Sequence, residues 1–198
     1  MASAFTPSGY QNTIDFVTTA TLGNASDFGD LSTARAGMSM SCNSTTRGIF
    51  NGGYTPSPVT ANINTMEFIT FATTGNATDF GDLTAAAGST PAGTAGNGTR
   101  GLIGLGYVAP ARTNRIDFCT IATTGNAADF GDLTAIGQNY GSCSNSTRGV
   151  FLGRNDPKTN IIDFVTIATT GDAADFGDVS VTESALGAAG SDSHGGLS

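Results

Sequence analysis

The chain has 198 residues, 28 of them glycine, with 38 % hydrophobic residues, a net charge of −8 and a single lysine, Lys158. That balance, with the arginines scattered, leaves no basic face to displace counterions from phosphates or to settle on an anionic bilayer, which excludes nucleic-acid binders and membrane-surface proteins. No run approaches the ~18 apolar residues of a spanning helix, and three cysteines, Cys42, Cys119 and Cys143, make no disulfide framework.

The opening Met-Ala-Ser-Ala-Phe has neither a basic nor a long apolar stretch, so no ordinary secretion signal is expected. The first predicted strand is Ile14-Asp15-Phe16-Val17-Thr18, where Ile14, Phe16 and Thr18 alternate with Asp15, Val17 and Thr19 in a period of two. An Ala-Thr-x-Gly turn leads to Asp27-Phe28-Gly29-Asp30. Small residues follow, Ala36-Gly37-Met38-Ser39-Met40-Ser41-Cys42, which suit a strand in a crowded place. Thr46-Arg47-Gly48-Ile49-Phe50 then predicts a short strand that ends at Gly52-Gly53. No segment shows a 3.6-residue period, so helix content should be low.

From there the order starts again. Met66-Glu67-Phe68-Ile69-Thr70, Ile116-Asp117-Phe118-Cys119-Thr120 and Ile162-Asp163-Phe164-Val165-Thr166 repeat the first strand. Asp79-Phe80-Gly81-Asp82, Asp129-Phe130-Gly131-Asp132 and Asp175-Phe176-Gly177-Asp178 repeat the second phrase, with phenylalanines 52, 50 and 46 residues apart. Thr99-Arg100-Gly101 and Thr147-Arg148-Gly149 repeat the Arg-Gly strand. The chain is therefore one domain, 1–198, of four copies of a unit of ~50 residues. The copies run approximately 34–83, 84–133, 134–179, and 180–198 joined with 1–33.

The unit resembles the kelch repeat: Arg35, then Gly48-Ile49-Phe50-Asn51-Gly52-Gly53, then Met66-Glu67-Phe68-Ile69-Thr70, then an aromatic, Phe80. It departs from kelch in having no Trp, with Phe28, Phe80, Phe130 and Phe176 in its place, and in lacking a counterpart of Arg35 in the other copies. The resemblance implies an all-β fold, a kelch-like β-propeller with four blades, one of them shared by the two ends of the chain. The chain starts just before a third strand, at Asn12-Thr13-Ile14. It stops after Ser191-Asp192-Ser193-His194-Gly195-Gly196-Leu197, which aligns with Ser44-Thr45-Thr46-Arg47-Gly48-Ile49. Either the ring closes within one chain, or the same overlap joins neighbouring chains. In a four-bladed ring Cys42 and Cys143 hold equivalent places in opposite blades, where a disulfide would need Cα atoms within ~7 Å. Reduced, partly buried thiols are the expectation. The wording Thr73-Thr74-Gly75-Asn76-Ala77-Thr78-Asp79-Phe80-Gly81-Asp82-Leu83 also resembles repeats in virion proteins of tailed phages of aquatic bacteria, which implies a structural or host-attachment role in a virion made in the host cytoplasm.

The Asp-Phe-Gly-Asp phrases hold Asp27, Asp30, Asp79, Asp82, Asp129, Asp132, Asp175 and Asp178. They read either as oxygen-rich turns for Ca²⁺ or, preferably, as Asp-capped turns with the Phe packed between blades. No spaced calcium loop is present, and no cofactor or metal is expected. Arg47, Arg100 and Arg148 read either as lining a binding face or, preferably, as structural residues, each paired with an Asp of the same or next blade such as Asp30 or Asp82. His194 stands in that register in the last copy and has no catalytic partner. Paired carboxylates for glycan cleavage would be unique residues rather than repeated ones, so no enzyme is expected. Copies differ most in the loops after the second strand, which makes Tyr10, Tyr54, Tyr107, Arg112 and Lys158 the candidate contact residues; Tyr10, Tyr54 and Tyr107 recur close to one register position and read equally as packing anchors. The reading is a non-catalytic structural or interaction module, with virion proteins or itself as partner. A lectin-like module for host-surface glycans and a glycan-active enzyme are the alternatives.

Overall fold

The computed structural model describes residues 5–6, 9–56, 61–88 and 93–183, and all of its regular structure is β-strand. At the start, β1 (Phe5–Thr6) pairs with β2 (Gly9–Tyr10), and β3 (Thr13–Phe16) forms a hairpin with β4 (Ser26–Asp30). Three antiparallel meanders follow. The first is β5 (Ser39–Asn43), β6 (Arg47–Asn51), β7 (Ile63–Thr70) and β8 (Thr78–Ala87), each strand paired with the next. The second is β9 (Thr94–Gly96), β10 (Arg100–Gly104), β12 (Ala111–Thr120) and β13 (Ala128–Gly137), with the short β11 (Tyr107–Val108) between β10 and β12. β11 also touches β8 through Val108 and Ala87, so the first two meanders form one continuous sheet. The third is β14 (Gly141–Ser144), β15 (Arg148–Arg154), β16 (Thr159–Thr166) and β17 (Ala174–Glu183). The hairpin β3–β4 thus corresponds to the last two strands of a meander.

The period-two pattern predicts one buried face per strand. The central strands instead bury consecutive residues: Ile116, Asp117 and Cys119 in β12 are 0 %, 0 % and 4 % exposed. The reason is that the units stack in sequence order and cover both faces. Ile14, Phe28 and Leu31 of the hairpin pack on Met38 and Ile69. Met66, Phe80 and Leu83 pack on Ile103, Cys119 and Ile121, and Leu102, Phe130 and Leu133 on Phe151, Val165 and Ile167. Each such side chain contributes ~1.5–3 kcal/mol by leaving water, and each core cluster draws its residues from two neighbouring units.

Asp-Phe-Gly-Asp, expected at turns, lies inside β4, β8, β13 and β17. Each copy carries the same β-bulge: Met66 faces Gly81 and Glu67 faces Asp79, leaving Phe80 as the extra residue. The same shift occurs at Ile14/Asp15, Ile116/Asp117 and Ile162/Asp163. A bulge leaves one residue unpaired in its own ladder, and here that residue is free to bond the next unit.

Candidate functional site

The repeated residues meet where one copy adjoins the next. At these joints the Phe and the second Asp of Asp-Phe-Gly-Asp accept backbone hydrogen bonds from the hairpin tip of the following copy. Gly75 N donates to Phe28 O at 2.7 Å and Ala77 N to Asp30 O at 2.8 Å. Gly125 and Ala127 bond Phe80 and Asp82 at 2.7 and 2.8 Å, and Gly171 and Ala173 bond Phe130 and Asp132 at 2.7 and 2.7 Å. Asn76, Asn126 and Asp172 accept from the N–H of Asp30, Asp82 and Asp132 at 3.1, 3.0 and 3.0 Å. Two backbones approach so closely that only glycine fits between them. A Cβ on Gly29, Gly81 or Gly131 would sit 2.3, 2.4 or 2.4 Å from the carbonyl oxygen of Gly75, Gly125 or Gly171. Their φ angles of 147, 140 and 144° are in the region that favours glycine. Asp27 and Asp175 each accept from the Gly two residues on, at 3.0 Å.

A second line of contacts runs through the acid of the Ile-Asp-Phe phrase. Glu67, Asp117 and Asp163 are buried, and each accepts from a backbone N–H of the preceding copy: Ser32 at 2.9 Å, Thr84 at 2.8 Å and Thr134 at 3.1 Å. Burying a carboxylate needs compensating donors. Glu67 receives Arg35 at 2.6 Å, Asp163 receives Arg154, and Asp117 receives the Thr84 hydroxyl at 2.7 Å with Arg115 at 3.9 Å. Burial nevertheless raises the Asp117 pKa above its ordinary range, against the Thr84 hydrogen bonds and Arg115, and lowers that of Arg35 against the attraction of Glu67. These carboxylates were not singled out by sequence, although their recurrence before each Phe was visible. Arg35 lacks a counterpart in sequence register, yet Arg154 performs the same pairing from the end of β15.

The in-register arginines behave differently from expectation. Arg47 does not pair with Asp30 or Asp82. It stacks 4.5 Å over Phe68 and donates to the carbonyls of Ile121 and Ala122 in the next copy, at 3.3 and 2.9 Å. Arg100 stacks 4.8 Å over Phe118 and donates to Ile167 and Ala168 at 3.2 and 2.9 Å. The physical reason is geometry: the hairpin tip presents backbone carbonyls within reach of the guanidinium, while Asp30 and Asp82 are half-buried in the joints, where their backbone groups bond the following copy. Arg148 keeps the stack, 4.8 Å over Phe164, and has no carbonyl partner among the described residues. The Phe of the Ile-Asp-Phe phrase, and of Met66-Glu67-Phe68, meets the Asp-Phe-Gly-Asp ring edge-on in every copy, with centroids 5.9–6.0 Å apart.

The candidate contact residues lie outside the Asp-Phe-Gly-Asp contacts, and two of their pairings also cross between copies. Tyr10 and Tyr54 form an edge-to-face pair 6.4 Å apart. Tyr107 faces Arg112 across β11–β12, and Arg112 pairs with Asp156 of the next meander. Lys158 is exposed beside it. Among the described residues no three His, Cys, Asp or Glu gather as a metal site, and His194 lies outside them. Shallow depressions under the hairpin tips recur at matching positions, one lined by Phe68, Thr70, Thr73 and Gly75, another by Phe164, Thr166, Thr169 and Gly171, as repeat geometry requires. The cysteines are free, and the thiol nearest in kind to Cys42 is that of Cys119, both lying against Gly101, rather than Cys143. No family model matches the chain, and no curated protein is significantly similar to it.

Proposed function

We propose that this chain is a non-catalytic structural and interaction module, a set of kelch-like propeller blades that serves as a phage virion component and meets its partner through the loops bearing Tyr54, Tyr107, Arg112 and Lys158. Each meander has the four antiparallel strands of a blade, and β3–β4 supplies the last two strands of a fourth. Residues 184–198, the expected remainder of that blade, lie outside the described residues. One observation carries the reading: the repeated polar residues are spent on joining copies. The phrase that looked most like a site, Asp-Phe-Gly-Asp, is occupied by the next copy's backbone in three of four copies. What varies between copies is the loop set, in which Lys158 is exposed and Tyr54, Tyr107 and Arg112 are half-exposed. A working surface made of differences on a scaffold made of identities is the usual division in repeat proteins.

The test is a glycan array with the purified chain, alongside turnover assays on whichever sugars bind. Silence on sugars, with incorporation into particles, supports the structural role. Sugar binding that is lost in Tyr54→Ser or Tyr107→Ser would replace it with the lectin reading, and turnover with the enzyme reading.

A further inference from the structure

The joints inside the chain define what belongs at its two ends. In the first three copies Phe28, Phe80 and Phe130 are 8 %, 2 % and 2 % exposed, whereas Phe176 in β17 is 54 % exposed. Gly177 keeps the φ of its counterparts, 141°, yet a Cβ there would meet nothing within 4 Å. Arg148 keeps its stack without its carbonyls. At the other end, Val17 is 57 % exposed where Ile69, Cys119 and Val165 are 8 %, 4 % and 3 %. Leu22, at the tip of the β3–β4 hairpin, is fully exposed. Asp15 is exposed where Glu67, Asp117 and Asp163 are buried. One end therefore has every accepting feature of a joint, and the other has every donating feature.

We propose that the chain assembles head to tail, the β17 edge of one chain receiving the β3–β4 hairpin tip of a second copy. Repeating the internal joint once more puts Gly23 N on Phe176 O and Ala25 N on Asp178 O. It sets the Asn24 side chain against Asp178 N and the carbonyls of Thr19 and Ala20 under Arg148. The occupant is a second copy because the matching hairpin is the chain's own first copy, and among the described residues nothing covers either edge. The edge of β17, without a further strand among the described residues and carrying exposed Phe176 and Val181, is a template for association. A head-to-tail contact is heterologous, so it ends in a closed ring or a filament. This inference stands on the joints alone, so sugar binding or turnover would leave it untouched.

Light scattering over a concentration series tests it. The expected mass rises above the single-chain 19.9 kDa as concentration increases. Gly177→Val, which blocks the accepting edge, and Ala25→Arg, which blocks the donating tip, should each return the single-chain mass. Ala25 is exposed, so its variant keeps the fold even if the valine strains β17. Mixing the two variants restores one joint only, so a 1:1 dimer and nothing larger is expected. A wild-type chain that stays monomeric throughout, whether from ring closure within the chain or from idle edges, overturns the proposal. So does an assembly that survives both variants.

Discussion

Gly131→Ala and Gly177→Ala make the same chemical change at the same register position, and the structure separates their costs. Both glycines have φ near 140° (144 and 141°), so both variants carry a backbone strain of order 1–3 kcal/mol. Only at Gly131 does the new methyl collide with backbone, 2.4 Å from Gly171 O. Ordinary contact requires the two strands to part by about an ångström. That separation breaks the bonds Gly171 N to Phe130 O, Ala173 N to Asp132 O and Asp132 N to Asp172, at 2.7, 2.7 and 3.0 Å. At ~1 kcal/mol net each, Gly131→Ala should lose ~3 kcal/mol more than Gly177→Ala. Urea denaturation at concentrations where the chain is monomeric measures both. Losses equal within ~0.5 kcal/mol, the usual additivity error, would refute the claim that the joints hold the units together.

Arg100→Met should cost ~2 kcal/mol through two charge-assisted carbonyl bonds and a stack, while Arg148→Met, with the stack alone, should cost under ~1 kcal/mol in a thermal melt of the monomer. Asp163→Ala strands the buried Arg154 guanidinium and should cost ~3–5 kcal/mol, against under ~1 kcal/mol for Asp156→Asn, which keeps a residue suited to the φ of 62° there, at the half-exposed Arg112 pair. Burial holds the Cys119 thiol up at about 11, above its ordinary 9.0, so the folded state keeps that proton more tightly. The resulting stability is whole below pH 9.0 and is lost as pH climbs towards about 11; a denaturation series should show that slope, and Cys119→Ala should lessen it, the rest coming from Cys42 and Cys143, whose thiols burial also raises. Thiol labelling of the native chain at neutral pH should find Cys143, the one cysteine that is not buried, ahead of Cys42 and Cys119; an equal rate at all three would count against the burial.

The four copies, their strands and their order were legible in the chain because extended segments announce themselves locally, through alternation, β-branching and punctuating glycines. The Ile-Asp-Phe and Arg-Gly-x-x phrases both became strands at their predicted places. Asp-Phe-Gly-Asp was misplaced as a turn because a bulge looks like a turn in sequence: both need a glycine at positive φ, and only the partner strand tells them apart. Partner choice belonged to the tertiary structure. Arg47 and Arg100 recur in perfect register, which reveals a shared task, but carbonyls leave no trace in a sequence, so an acidic partner was the natural expectation. Glu67 and Asp163 take their arginines from Arg35 and Arg154, positions unrelated in register, since a buried carboxylate selects whichever guanidinium its surroundings bring within reach. The sequence by itself determined that the chain repeats and that each repeat is a strand unit. Stacking decided which faces are buried and which polar groups meet, because those depend on separations between copies that no local pattern encodes.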